Sequence, residues 1–330
     1  MTNLAAVSGA TGFIGSTVVR ELLAAGREVR ALCEPGADTR NLDGLDVERV
    51  TVDVCDLRGM TAALAGAGAY YHLAAIYKVW LPDPSVIYRV NLEGTTTSLL
   101  AAERARVPRI VYTSSIAAVG LRDDGEPSDE SVTFNLHDVA NEYILTKHLS
   151  ERIAVRFAEA GLPIVIVNPA FPFGARDTAP TPTGQIILSL LRGHLPAIAP
   201  GGFCAVDVAD VAKAHVAAET RGRVGERYIL GNHNVSFGEF VKLVCETAGL
   251  PVPRLRMPAL VSKGLALGFE LWSDHVSHKE PRATLKSAEY MMRRCFFDCQ
   301  KARRELGMPV TPLAESVARS VRYYREHGMV

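Results

Sequence analysis

The stretch Leu4-Ala5-Ala6-Val7-Ser8, followed at once by Gly9-Ala10-Thr11-Gly12-Phe13-Ile14-Gly15, decides how this 330-residue chain is read. Five residues of strand character run into a glycine turn, and the turn opens an amphipathic segment over Phe13–Ala25. In such a strand–turn–helix the first glycine permits the tight turn. The second lets backbone approach a pyrophosphate, and the third lets helix and strand pack closely. The free N–H groups of the helix then face the anion. The spacing is G-x-x-G-x-x-G rather than G-x-G-x-x-G, and its place between the first strand and the first helix gives it weight. Gly9, Thr11, Gly12, Phe13, Ile14 and Gly15 are therefore candidate cofactor contacts.

Outward from the turn, short β-branched runs alternate with longer amphipathic ones. Glu28–Cys33, Val47–Val52, Tyr70–Leu73, Ile110–Tyr112 and Ile164–Val167 read as strands, and Leu92–Ala105 and Asp138–Ala160 as helices. In the last helix Leu145, Leu149, Ile153 and Phe157 recur every four residues, which predicts one buried stripe. Such alternation predicts an α/β fold with a doubly wound parallel sheet. Seven prolines between Pro163 and Pro200 mark a change of texture, and Tyr228–Leu230 reads as a strand returning to the sheet. The expected organisation is a Rossmann domain over 1–174 plus 206–234. A smaller, discontinuous C-terminal substrate lobe takes 175–205 plus 235–330. The apolar stretch Leu255–Trp272 is expected to be core of that lobe, with a lid touching lipid as the alternative.

The second strand should end on a residue that reads the adenosine ribose. Glu34 stands there, 22 residues past Gly12. A carboxylate accepts both ribose hydroxyls and repels a 2′-phosphate, which favours NAD over NADP. Arg30 and Arg40 nearby keep NADP open. Asp53 and Val54, at the end of the third strand, are placed to meet the adenine edge.

Tyr143-Ile144-Leu145-Thr146-Lys147 puts a phenol and an ammonium one helical turn apart on one face. A phenol titrates near ~10 in water, and a nearby cation lowers that value. The tyrosine can then exchange a proton with a substrate oxygen while hydride moves. Thr113-Ser114-Ser115 follows the Ile110–Tyr112 strand. A serine there can donate to the same oxygen, with Ser115 preferred and Ser114 as the fallback. Glycine turn, serine after a late strand, and Tyr–Lys on the next long helix occur in one order, and each strengthens the others.

That order resembles the extended short-chain dehydrogenase/reductase family from end to end. Tyr71-His72-Leu73-Ala74-Ala75, Asn91-Leu92-Glu93-Gly94-Thr95, Asn168-Pro169 and Asp207-Val208-Ala209-Asp210 add to the resemblance. It implies that Leu73, Ala74, Ala75, Asn91 and Thr113 line the cofactor, as do Pro169, Ala170 and Phe171. It also implies Tyr143 as acid/base, Lys147 as ribose anchor and Ser115 as donor to the substrate oxygen. Within the family the chain is similar to dihydroflavonol reductases, 3β-hydroxysteroid dehydrogenases and hopanoid-associated sugar epimerases. The last group is matched by Trp80-Leu81-Pro82-Asp83-Pro84, Pro180–Gly184, Gly225–Gly231 and Glu280-Pro281-Arg282, although it commonly carries Arg where Glu34 stands. Ile116-Ala117-Ala118-Val119 lacks the acidic pair of the sugar-nucleotide dehydratases, which disfavours dehydration. The resemblance also implies a homodimer.

On the substrate side Ile76, Tyr77, Val79, Trp80, Phe171, Phe173 and Phe203 suit a bulky, largely hydrophobic substrate such as a sterol or hopanoid. Tyr77, Trp80, Ser115, Asn168 and Phe173 are its candidate contacts. A sugar epimerase working through a ketone intermediate is the second reading. A dinucleotide-sensing regulator is the third, and the intact Tyr143/Lys147 pair counts against it. The 36 basic and 36 acidic residues cancel, which argues against a nucleic-acid partner. Six scattered cysteines form no metal spacing, so no metal is expected. With neither a signal peptide nor a membrane span legible, a cytoplasmic enzyme with a small-molecule substrate is expected.

Overall fold

The computed structural model describes residues 2–195, 197–279, 281 and 283–330. Strands β1 (Leu4–Ser8), β2 (Glu28–Cys33), β3 (Glu48–Thr51), β4 (Ala69–His72), β5 (Ile110–Thr113) and β6 (Ile164–Pro169) join Arg227–Leu230 in one seven-stranded sheet. Its order is Arg227–Leu230, β6, β5, β4, β1, β2, β3, and every pairing is parallel. The strands are buried on both faces because helices cover both. In β4, Ala69 and Tyr71 join one core cluster while Tyr70 joins the other. Between β1 and β4 the strand order reverses. The carboxyl ends of β1, β4, β5 and β6 therefore open onto a single crevice.

Helices α1 (Phe13–Ala24), α2 (Leu57–Ala63), α3 (Ser85–Tyr88), α4 (Gly94–Arg104) and α5 (Glu142–Glu159) follow in order. Helix α5 begins at Glu142 rather than Asp138 because the Asn141 side chain accepts from the Ile144 N–H at 2.9 Å and caps it. Its buried face also differs from the expected stripe. Ile144, Lys147, Glu151 and Ala154 face inward, while Leu149 is 38% exposed. Polar side chains displace apolar ones here because each finds a buried partner, as the site shows below.

A second sheet is built on Gly202–Asp207, which pairs with Phe171–Phe173, His233–Ser236 and Arg294–Cys295. The Gly202–Asp207 strand runs across the 205/206 division expected from sequence. Asp207 caps the helix Val208–Arg221 through the Ala209 N–H and holds Arg319 of the last helix at 2.6 Å. Phe171, Phe173, Phe203, Phe237 and Phe240 interlock, with neighbouring ring centroids 4.7–6.1 Å apart.

The helix Ala259–Trp272 corrects the core reading of Leu255–Trp272. Ala266 is its one buried residue, while Leu260 is 82% and Trp272 61% exposed. The charged side chains are the ones turned to the protein: Lys263 pairs with Glu289 at 2.6 Å, and Glu270 accepts from the Leu285 N–H at 2.8 Å.

Candidate active site

The glycine turn is built as a cradle. Gly9 has φ +67°, a left-handed conformation that favours glycine, and a Cβ there would lie 2.8 Å from the Ala74 nitrogen. The β1 turn therefore presses directly on the loop after β4. A Cβ on Gly15 would fall 2.0 Å from the Gly9 carbonyl oxygen, so the third glycine packs the helix onto the turn itself. Gly12 is the N-cap of α1, with no side chain capping the helix and no acidic residue in its first turn. Open N–H groups and an uncapped positive helix end fit the pyrophosphate of a dinucleotide. Asn41 fixes the turn from outside, donating to the Thr11 carbonyl and to Thr178 Oγ1, both at 3.0 Å.

At the end of β5, Ser115 caps the short 3₁₀ turn Ile116–Ala118, its Oγ accepting from the Ala117 N–H at 3.1 Å. The same hydroxyl lies near the Tyr143 phenol and acts to lower its pKa. Ser114 Oγ, by contrast, is buried without a hydrogen-bond partner. Lys147 is buried, and its Nζ donates to the Thr113 carbonyl at 3.0 Å. Behind it Glu151 is held by Arg227 at 2.9 Å and by Asn168 Nδ2 at 2.5 Å. Asn168 Nδ2 also donates to the Ser115 carbonyl at 2.9 Å. One buried amide thus ties the serine's backbone to the carboxylate beneath the lysine.

These contacts set the protonation states. Burial pushes Tyr143 up to about 12, while the Ser115 hydroxyl pulls it down. The ammonium next door was expected to lower the phenol, but Lys147 directs its Nζ at Thr113 and burial prevails. Burial also lowers Lys147 to about 8, with Glu151 raising it. At neutral pH the pair is a phenol and an ammonium.

Two buried histidines support the site as neutral bases. His215 Nδ1 donates to the Val211 carbonyl at 2.8 Å, so Nε2 accepts from the Thr113 hydroxyl at 3.0 Å. The Thr95 hydroxyl gives its proton to the Asn91 carbonyl, so His72 Nε2 donates to Thr95 and Nδ1 accepts from Tyr70. Burial lowers His72 to about 3 and His215 to about 4, from 6.5. The unfolded chain then binds these protons more readily than the folded one, so stability falls as pH drops below 6.5. Urea unfolding between pH 6.5 and pH 4 should register a loss on the order of several kcal/mol. His215→Gln should flatten part of that slope.

Other sequence-predicted residues divide into those at the crevice and those spent elsewhere. Glu34 stands exposed directly after β2. Asp53 accepts from the Cys55 N–H at 2.9 Å and lies 3.6 Å from Arg89, and Val54 rests on the first turn of α4. Leu73, Ala74 and Ala75 are half-buried beside the turn. Tyr77 stacks obliquely on Tyr143, ring centroids 4.7 Å apart. Pro169, Ala170 and Phe171 are buried at the end of β6.

Asn91 spends its amide on the Ile76 N–H and carbonyl and on Thr146, which clamps the loop to α5. Asn168 lies behind the serine rather than facing substrate, and Phe173, 2% exposed, belongs to the aromatic core with Phe203. Trp80 turns its Nε1 to Asp274 at 3.2 Å, on the far lobe. Of the Glu280-Pro281-Arg282 segment, Glu280 and Arg282 lie outside the described residues. Sequence reasoning missed Glu151, although it falls one turn past Lys147 on the same face. It also missed His215 and Tyr290, both buried.

Comparison with known proteins identifies the family. The model of the NAD dependent epimerase/dehydratase family matches residues 5–231. Sterol demethylase protein B of Methylococcus capsulatus is 36% identical over 100% of both chains. A candidate dihydroflavonol 4-reductase of Synechocystis is 35% identical, covering 98% of this chain and 95% of that protein. The crystal structure of gox2253 superposes with a TM-score of 0.89 at 38% identity over 99% of both chains. The chain belongs to the NAD-dependent epimerase/dehydratase family, within the extended short-chain dehydrogenases/reductases, and is an enzyme of that class.

Proposed function

We propose that this enzyme interconverts a ketone and an alcohol on a bulky apolar substrate of the sterol or hopanoid class. NAD, when bound, supplies or takes up the hydride. The backbone of Gly9–Gly15 would hold its pyrophosphate and Glu34 its adenosine ribose. Asp53 and Val54 would meet the adenine, and Lys147 the nicotinamide ribose.

The carrying observation is the half-buried Tyr143, its phenol near the Ser115 hydroxyl, with Lys147 one turn on along the same helix face. In the reducing direction Tyr143 gives its proton to the substrate oxygen as alkoxide charge develops there. Ser115 donates a second hydrogen bond to the same oxygen and fixes it. Lys147, charged below about pH 8, stabilises the phenolate that forms and returns a proton to it. A phenol held at about 12 is in its donor form at neutral pH, which suits ketone reduction. Tyr77 beside it suits a large apolar ring system, and the sterol demethylase name of one full-length relative points the same way. The half-exposed stripe Leu145, Leu149, Ile153 and Phe157 supports pairing of α5 between two copies of the chain.

The test is loss of the reduced-nicotinamide absorbance with a panel of sterol and hopanoid ketones. NADH should be consumed with at least one of them. NADPH should turn over at least about tenfold more slowly, because Glu34 repels a 2′-phosphate. A flat trace across the panel, from protein that isolates with NAD bound, would replace this reading with epimerisation.

A further inference from the structure

The helix Ala259–Trp272 is amphipathic the wrong way round for a water-soluble surface. At 3.6 residues per turn Leu260, Val261, Leu265, Leu271 and Trp272 fall within about 160° of its circumference. All five are exposed, between 47% and 82%. Its charged residues, Lys263 and Glu270, lie on the opposite side against Glu289 and the Leu285 N–H. An apolar face of this kind turned outward marks a contact surface.

Charge identifies what covers it. Residues 254–294 carry eight Lys/Arg against four Asp/Glu, an excess of four positive charges, whereas the rest of the chain is net acidic. Arg254 and Arg256 stand exposed just before the helix and Lys279 just after it. Two identical copies meeting here would bring like charges together, whereas an anionic lipid surface would complement them. Fourteen residues span about 21 Å, too short to cross a bilayer but suited to lying in its interface, with Trp272 at headgroup depth. None of the described helices is long and apolar enough to cross a membrane.

We infer that this helix docks the enzyme on an anionic lipid bilayer. The docked face adjoins the crevice. Asp274, just past the helix, holds Trp80, and Lys286 and Ser287 hold Ala140 and Asn141 at the start of the helix that carries Tyr143. The inference stands on the helix and its charges and does not require the hydride-transfer reading. Where both hold, an apolar substrate reaches Tyr143 from the bilayer rather than from water.

Trp80→Phe leaves Trp272 as the sole tryptophan reporter. Vesicles of phosphatidylcholine and phosphatidylglycerol in equal parts should shift its emission to the blue and should sediment the wild-type protein. Leu260→Ser/Leu271→Ser, both at exposed positions and so expected to keep the wild-type Tm, should bind at least about tenfold more weakly. Arg254→Gln/Arg256→Gln should erase the preference over pure phosphatidylcholine. Absence of both shift and sedimentation at low ionic strength overturns the inference. So does a dimer in vesicle-free sedimentation velocity that Leu260→Ser/Leu271→Ser dissolves, since a second copy would then be the occupant. Neither result touches the hydride chemistry, because no substrate is present in either experiment.

Discussion

Tyr143→Phe is expected to lower kcat/KM for the ketone about 1,000-fold while leaving NADH affinity within about twofold of wild type. The substitution removes one oxygen from a ring held by Tyr77 and keeps its packing. The lost oxygen is the one near the Ser115 hydroxyl and the one the proposal makes the proton donor. Steady-state kinetics with NADH fluorescence titration separates the two effects. Unchanged turnover would remove Tyr143 from the chemistry, whereas a parallel fall in NADH affinity would make its role structural.

Gly15→Ala should be among the most damaging single methyl additions to the protein. Its Cβ would stand 2.0 Å from the Gly9 carbonyl oxygen and 2.8 Å from the Gly9 carbonyl carbon, and both are backbone atoms that cannot swing aside. The turn or the start of α1 must move, at a cost of about 2–3 kcal/mol of stability and, through the displaced N–H groups, about 100-fold in NAD affinity. Gly12→Ala is the control. Its Cβ meets only the Gly9 oxygen, at 3.3 Å, so stability should change by under about 1 kcal/mol while NAD affinity still falls. Denaturant unfolding and calorimetric titration of the two variants distinguish the glycine that builds the cradle from the one that leaves it open.

The strands and the glycine turn were readable because each is a short apolar run stopped by glycine or a polar turn, and β1 and β2 match their expected limits to the residue. Spacing and order singled out Tyr143, Lys147 and Ser115 as candidates, and the structure sets Lys147 against Thr113, two residues before Ser115. What faces what was harder. Periodicity chose Leu145, Leu149, Ile153 and Phe157 as the inner stripe of α5, yet the helix buries Lys147 and Glu151. The partners that make this affordable are Thr113, Asn168 and Arg227, the last 76 residues from Glu151, and no local pattern reveals them. Asn91 and Asn168 were recognised as motif residues but not as clamps, since an amide reads the same in sequence whether it meets a cofactor or a backbone. For Ala259–Trp272 the sequence displays an apolar helix and not its direction, and the Lys263–Glu289 pair decides that the apolar side faces out.

The central claim is that hydride passes directly between nicotinamide and a substrate carbon while Tyr143 moves the proton. It is tested most directly with NADH deuterated on the transferring face of the nicotinamide, incubated with the ketone that gives turnover. Mass spectrometry of the alcohol should find the deuterium on the carbinol carbon, in stoichiometric yield from wild type and only in trace from Tyr143→Phe. Reduction that leaves no deuterium on that carbon, or deuterium transfer undiminished in Tyr143→Phe, would contradict the account.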